Sequence, residues 1–311
     1  MLLKHLINPK PTIMLFFIVF CVIFSAPFFK NTPQNVFLGV LNLPFYIIFI
    51  MTLIAPFFLG LGLNNLIYER NIIRKDNLVI GFVFVLISSA FNTNLNLLFS
   101  AFLMLFFFSF LLASYQKEIP FSQLYNASFL LSIITFIYPN LIFLYLLLII
   151  NGINYNNLSW RIFFIILLGG GTPYLFFFTI NFLTDTPFLL PNFFNFSKIN
   201  FPYLSNLYIE KTSLIITIII LLFSFFELFT WLYKKSIKSR RTFMTIIWFF
   251  IISTGIALHS GNEYFYFSLI PLSIIISNYF IYTKNRKIAN TLFFLLIISS
   301  FFYKYLIGYY V

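Results

Sequence analysis

Residues 213–233 read SLIITIIILLFSFFELFTWLY, and the next eight, 234–241, read KKSIKSRR. The first stretch holds 21 residues and one charged side chain, Glu227. A helix of about 20 apolar residues, rising 1.5 Å each, crosses the ~30 Å hydrocarbon core of a bilayer. The basic cluster that follows is of the kind retained on the cytoplasmic side of such a span. Together they read as one crossing with its orientation signal.

The same reading extends in both directions. Apolar runs fall at about 12–29, 37–62, 77–91, 95–115, 123–138, 140–154 and 161–183 before this stretch, and at 242–259, 264–282 and 290–307 after it. That makes eleven candidate spans, of which the third, fifth and sixth are short. Composition agrees: 61% of the 311 residues are hydrophobic, 8% are charged, and the mean hydropathy is +0.98. Soluble domains carry about 25% charged residues, so a soluble fold is excluded. The expected architecture is all-α, a single polytopic integral membrane domain over residues 1–311.

Counting Lys and Arg by connecting segment orients the bundle. With the N-terminus inside, the inner segments hold Lys4, Lys10, Arg70, Arg74, Lys75, Lys117, Arg161, Lys234, Lys235, Lys238, Arg240, Arg241, Lys284, Arg286 and Lys287. The outer segments hold only Lys30, Lys198, Lys211 and Lys304. This asymmetry predicts eleven spans running N-in and C-out. The net charge of +12 comes from these scattered clusters rather than from one basic face interleaved with aromatics, so no nucleic-acid partner is expected. Membrane lipids are the expected surroundings. Heavy use of Phe, Ile, Asn, Lys and Tyr points to an AT-rich bacterial genome, and hence to the bacterial inner membrane. Cys21, the only cysteine, lies in the first run, which leaves no disulfide framework or thiol metal site.

Seven carboxylates carry what chemistry the chain has. Glu69, Asp76 and Glu118 sit beside basic residues in inner segments and read as solvated ion pairs. Glu227 lies inside a span within reach of Lys234 or Lys235, and intramembrane carboxylates are costly and often functional. The other three are on the outer side. Asp185 and Glu210 bracket the longest connection, about 184–212, and Glu263 closes the turn His259-Ser260-Gly261-Asn262-Glu263. Outer carboxylates beside a histidine suit general acid/base work, so Asp185, Glu210, His259 and Glu263 are the candidate catalytic residues. No cofactor or metal is expected: H-x-x-x-E supplies two ligands, and Gly169-Gly170-Gly171-Thr172-Pro173 lacks the lysine of a phosphate loop. The glycine run reads instead as a kink and a close helix-packing site. Pro44, Pro56 and Pro271 are expected to kink their helices.

Two stretches carry a resemblance. Ile137-Tyr138-Pro139-Asn140-Leu141-Ile142-Phe143 looks like the proline-bearing short hairpin of the GT-C superfamily, membrane glycosyltransferases that use lipid-linked sugars. Glu263-Tyr264-Phe265-Tyr266-Phe267-Ser268-Leu269-Ile270-Pro271-Leu272 is similar to that superfamily's late span. The chain also resembles, in length, loop layout and the stretch Ser122 to Trp160, a Bacteroidota family of polytopic inner-membrane proteins. The first outer connection, Lys30-Asn31-Thr32-Pro33-Gln34-Asn35, lacks the carboxylate the superfamily keeps there, and Glu263 stands where it keeps a basic residue.

Three functional readings remain open at this point. The GT-C resemblance implies an enzyme transferring sugar from a polyprenyl-linked donor at the outer leaflet, with Asp185, Glu210 or Glu263 as base and His259 assisting. A transporter or lipid flippase would rely on Glu227, Asn42 and the Gly169–Pro173 break near the midplane. A non-catalytic partner of other envelope membrane proteins would need none of the carboxylates.

Overall fold

A computed structural model of the chain describes residues 2–25, 36–37, 41–73, 75–91, 94–115, 117, 119–185, 191–193 and 208–310. Almost all of these are helical, as expected where lipid offers no hydrogen bonds to the backbone. The helices are α1 (Leu2–Ile7), α2 (Pro11–Ser25), α3 (Phe45–Glu69), α4 (Val79–Ser88), α5 (Leu95–Ala113), α6 (Phe121–Ile137), α7 (Tyr145–Asn154), α8 (Trp160–Leu183), α9 (Tyr208–Leu232), α10 (Ile237–Ser260), α11 (Phe265–Tyr282) and α12 (Arg286–Tyr310). A 3-10 turn over Pro139–Leu144 leads into α7, and a second over Asn262–Tyr264 leads into α11. Among the described residues, seven helical stretches are long and apolar enough to cross a membrane: those ending in α3, α5, α8, α9, α10, α11 and α12. Four shorter apolar helices among the described residues, Pro11–Ser25, Val79–Ser88, Phe121–Ile137 and Pro139–Asn154, occupy the other runs.

The second run differs from its sequence reading. Its first residues form a two-residue antiparallel pairing, Val36 with Asn42 and Phe37 with Leu41, and the helix starts only at Phe45. Pro44 does not kink α3. It stands at the N-cap with extended backbone (φ −61°, ψ 144°), where its missing N–H costs nothing. Pro56, Pro173 and Pro271 do lie inside helices.

The chain divides into two compact units. The first comprises residues 1–99, 201–240 and 269–311. Within it α3 and α4 meet backbone to backbone. A Cβ on Gly81 would stand 3.0 Å from the Gly60 carbonyl oxygen and 3.1 Å from the Phe17 ring. That ring also packs on Phe82 and Phe57, so α2 seals the contact. All ten residues of α4 are buried, which makes this ~15 Å helix a core element rather than a lipid-facing one. At one end of the unit the Leu78 N–H donates to the Leu6 carbonyl (2.9 Å). At the other, Tyr305 donates to the Ile23 carbonyl (2.8 Å) and the buried Lys304 ammonium to that of Phe24.

The second unit comprises residues 100–200 and 241–268. Its densest contact is α6 against α8. Ile162, Ile166, Gly169 and Pro173 recur at helical spacing on the buried face of α8, while Leu168, Leu175 and Phe182 form an exposed apolar stripe. Side-chain hydroxyls tie the face together. Ser132 shares a 2.8 Å hydrogen bond with Tyr145 and donates to the Gly170 carbonyl; Thr135 bonds Tyr174 at 2.6 Å and Tyr125 bonds Thr172 at 3.1 Å. The glycine run is therefore the packing site expected from the sequence. A Cβ on Gly169 would overlap the Ser128 hydroxyl.

At one end of this unit the Asn151 amide donates to Ser114 (3.0 Å) and to the Leu111 carbonyl (3.3 Å), and accepts from Thr245 (3.0 Å). Asn154 donates to the Arg241 carbonyl (2.7 Å) and Asn157 to that of Ser114 (3.0 Å). These bonds pin α5, α7 and α10 together.

Candidate functional site

The two stretches quoted for the GT-C resemblance meet at the opposite end of the second unit. After α6 the chain turns at Tyr138-Pro139-Asn140, and both Tyr138 (5% exposed) and Asn140 (3%) point into the protein. The Tyr138 phenol donates to the Glu263 carboxylate at 3.2 Å, and the Asn140 amide donates to the Ser260 hydroxyl at 2.7 Å. The Tyr138 ring packs edge-on against Tyr264 (5.5 Å) and Phe267 (5.2 Å). A buried aromatic side chain thus holds an exposed carboxylate at the mouth of the α10–α11 turn.

His259 is exposed in the last turn of α10. Gly261 then breaks the helix with φ +108°, a backbone conformation that favours glycine. His259 and Glu263, four apart, therefore do not share one helical face. They flank the break, with Glu263 in the 3-10 turn after it.

The other two candidates belong to other segments of the chain. Asp185 is exposed just after α8, at φ +52°. Asn71 (φ 56°) after α3 and Asn156 (φ 57°) after α7 take the same left-handed conformation. Asx residues tolerate it because their short polar side chains bond locally, so each acts as a helix stop. Asp185 thus carries a structural role that the sequence reading missed, although an Asp directly after an apolar run is the signal for it. Glu210 falls in the first turn of α9, in the first unit; its side chain and most of the 184–212 connection lie outside the described residues. So do Glu118 and residues 30–35.

Among the remaining carboxylates, Glu69 accepts a 2.7 Å hydrogen bond from Asn65, one turn back on α3, rather than standing only among cations. Glu227 is half-buried on α9, and Lys235 lies over the rings of Trp231 (5.0 Å) and Tyr282 (4.8 Å). Among the described residues no group of three or more His, Cys, Asp or Glu is placed to hold a metal ion.

Described residues that are almost all helical, with seven helices among them of this length and apolarity, have the makings of a membrane protein. The chain belongs to the family of unknown function DUF6427, whose model matches residues 51–310. No curated protein and no solved structure matches it.

Proposed function

We propose that the chain is a protein of the bacterial inner membrane that crosses eleven times, N-in and C-out, as one integral membrane domain. Contacts between helix ends support this count within each unit. With eleven alternating crossings, the α6–α7 and α10–α11 turns joined through Tyr138 and Glu263 fall on one side. The ends joined by Asn157 and Ser114, and by Asn154 and Arg241, fall together on the other. In the first unit Lys75 lies 5.3 Å from the centre of the Tyr282 ring, and omitting α4 as a crossing would put these two on opposite sides. A buried helix as short as α4 is admissible because protein, not lipid, surrounds its ends.

At the outer end the site works as a GT-C-like glycosyltransferase on a polyprenyl-linked sugar. The observation that carries this reading is the exposed Glu263 carboxylate held by the buried Tyr138 phenol, with His259 across the Gly261 break. In the transfer, the acceptor hydroxyl gives its proton to Glu263 as its oxygen bonds the anomeric carbon. The bond from that carbon to the polyprenyl phosphate breaks, and the phosphate leaves with the electron pair. His259 supports the acceptor, and Tyr138 fixes the carboxylate without touching substrate. Comparing lipid-linked sugars in strains with and without the Glu263 carboxylate tests the reading.

A second reading has its own support. Tyr138 and Asn140 are both spent on tying the hairpin to the α10–α11 turn, as a latch would require. A non-catalytic partner of other envelope membrane proteins would keep that latch and dispense with the proton transfer.

A further inference from the structure

The first unit holds a cavity of about 200 Å³ lined by Ile72, Lys234, Lys235, Ser236, Ser239 and Tyr282. Its construction follows from how three helices end. The α9 chain turns after Leu232, with the Lys234 and Lys235 N–H groups donating to the Trp231 and Leu232 carbonyls, so both side chains are left at the rim. Ser236 opens α10: its hydroxyl accepts from the Ser239 N–H at 3.5 Å and lies 3.2 Å from the Ser239 hydroxyl. Ile72 and Ser239 are buried and form the floor.

The charges in this cavity are unbalanced. Lys235 and Lys75 both lie over the Tyr282 ring, at 4.8 and 5.3 Å from its centre. A ring attracts a cation, but the Lys234 and Lys235 charges that line one cavity repel, and a bound anion relieves that repulsion. The carbonyls at the end of α11 do not serve: those of Phe280 and Ile281 each accept from Arg286 at 3.0 Å. Among the described residues no ion pair neutralises Lys75, Lys234 or Lys235. Two hydroxyls and the positive N-terminal end of α10 add to the attraction for an anion.

We propose that this cavity binds the phosphate of an anionic phospholipid headgroup, with the Lys234 and Lys235 ammonium groups and the Ser236 hydroxyl around it. Compact lysine charges suit a phosphate, and Trp231 and Tyr282 are the residues that line a membrane–water boundary, where a headgroup would lie. The leaflet rests on the orientation proposed above, and by that orientation it is the inner one.

The test uses the full-length protein purified in detergent, with native mass spectrometry after addition of phosphatidylglycerol, phosphatidylcholine or inorganic phosphate. The wild type should retain phosphatidylglycerol in preference to phosphatidylcholine. Lys234→Gln with Lys235→Gln should weaken that retention by about thirtyfold. Lys287→Gln, which removes an inner charge outside the cavity, should leave it unchanged. Lys234→Arg with Lys235→Arg, together with an unaltered helical circular dichroism spectrum, guards against misfolding. Equal retention of both lipids, undiminished retention by the double Gln variant, or binding of inorganic phosphate alone would overturn the proposal. A reporter fused at Ser239 separates the two claims. Phosphatidylglycerol bound with Ser239 outside overturns the orientation but keeps the site, whereas no lipid bound with Ser239 inside overturns only the site.

Discussion

Tyr138 and Glu263, 125 positions apart, are joined by a 3.2 Å hydrogen bond from phenol to carboxylate. The tyrosine is almost wholly buried and the glutamate exposed, so the protein interior fixes the position of a charge at its surface. Tyr138→Phe keeps the ring packing on Tyr264 and Phe267 and removes only the donor. It should cost about 1–2 kcal/mol, whereas Tyr138→Ala should cost about 3–5 kcal/mol through the cavity left behind. Thermal unfolding in detergent ranks the two. An equal loss from both would mean that the hydrogen bond, not the ring, holds the hairpin.

The glycines of α8 offer an internal comparison. A Cβ on Gly169 would overlap the Ser128 hydroxyl and stand 2.7 Å from the Tyr125 carbonyl oxygen, while one on Gly171 would meet nothing within 4 Å. Gly169→Ala should destabilise by about 1–3 kcal/mol. Gly171→Ala should be neutral or stabilise by up to ~1 kcal/mol through helix propensity. The order of the two melting temperatures checks the α6–α8 packing.

Asn151 makes three hydrogen bonds that link α5, α7 and α10. Interhelical hydrogen bonds in membranes average about 0.6 kcal/mol each, so Asn151→Leu should cost about 1–2 kcal/mol. Ser114→Ala, which loses one of these bonds, should cost less than half as much. Unfolding midpoints of the two variants and wild type decide whether the three bonds act together.

Orientation has a direct readout. A reporter active only in the cytoplasm should be active when fused at Ser239 and silent when fused at Asn192. The opposite result at either site would contradict the N-in, C-out arrangement and the eleven-crossing count with it.

How much of this was legible in the sequence differs by level. Each apolar run holds a helix over its described residues, though the second opens with a two-residue strand pairing before α3. The ends were less legible. Pro44 delayed α3 to Phe45, the helix runs on past residue 62 to Glu69, and α1 was missed because six residues make too short a pattern to read. Lys304, counted with the outer cations, lies buried in α12 against Phe24, since a lysine stem near a helix end packs as apolar surface. The glycine run announced close packing but not its partners. At the candidate site the sequence offered four residues, and only His259 and Glu263 fall at one turn. Hydropathy has no term for pairing, so the meeting of Tyr138 with Glu263 is invisible in either stretch alone. A carboxylate directly after a span fits both chemistry and a left-handed helix stop, and Asp185 at φ +52° takes the conformation of the second.

Mass spectrometry of polyprenyl-linked sugars and envelope glycans tests the role of Glu263 most directly. A deletion strain is compared with the same strain carrying wild type or Glu263→Gln, with protein levels matched. One lipid-linked sugar should accumulate in the deletion, clear with wild type and persist with Glu263→Gln. Unchanged pools in the deletion, or full clearance by Glu263→Gln, would contradict the enzyme reading and leave the Tyr138–Glu263 contact as a latch in a non-catalytic partner.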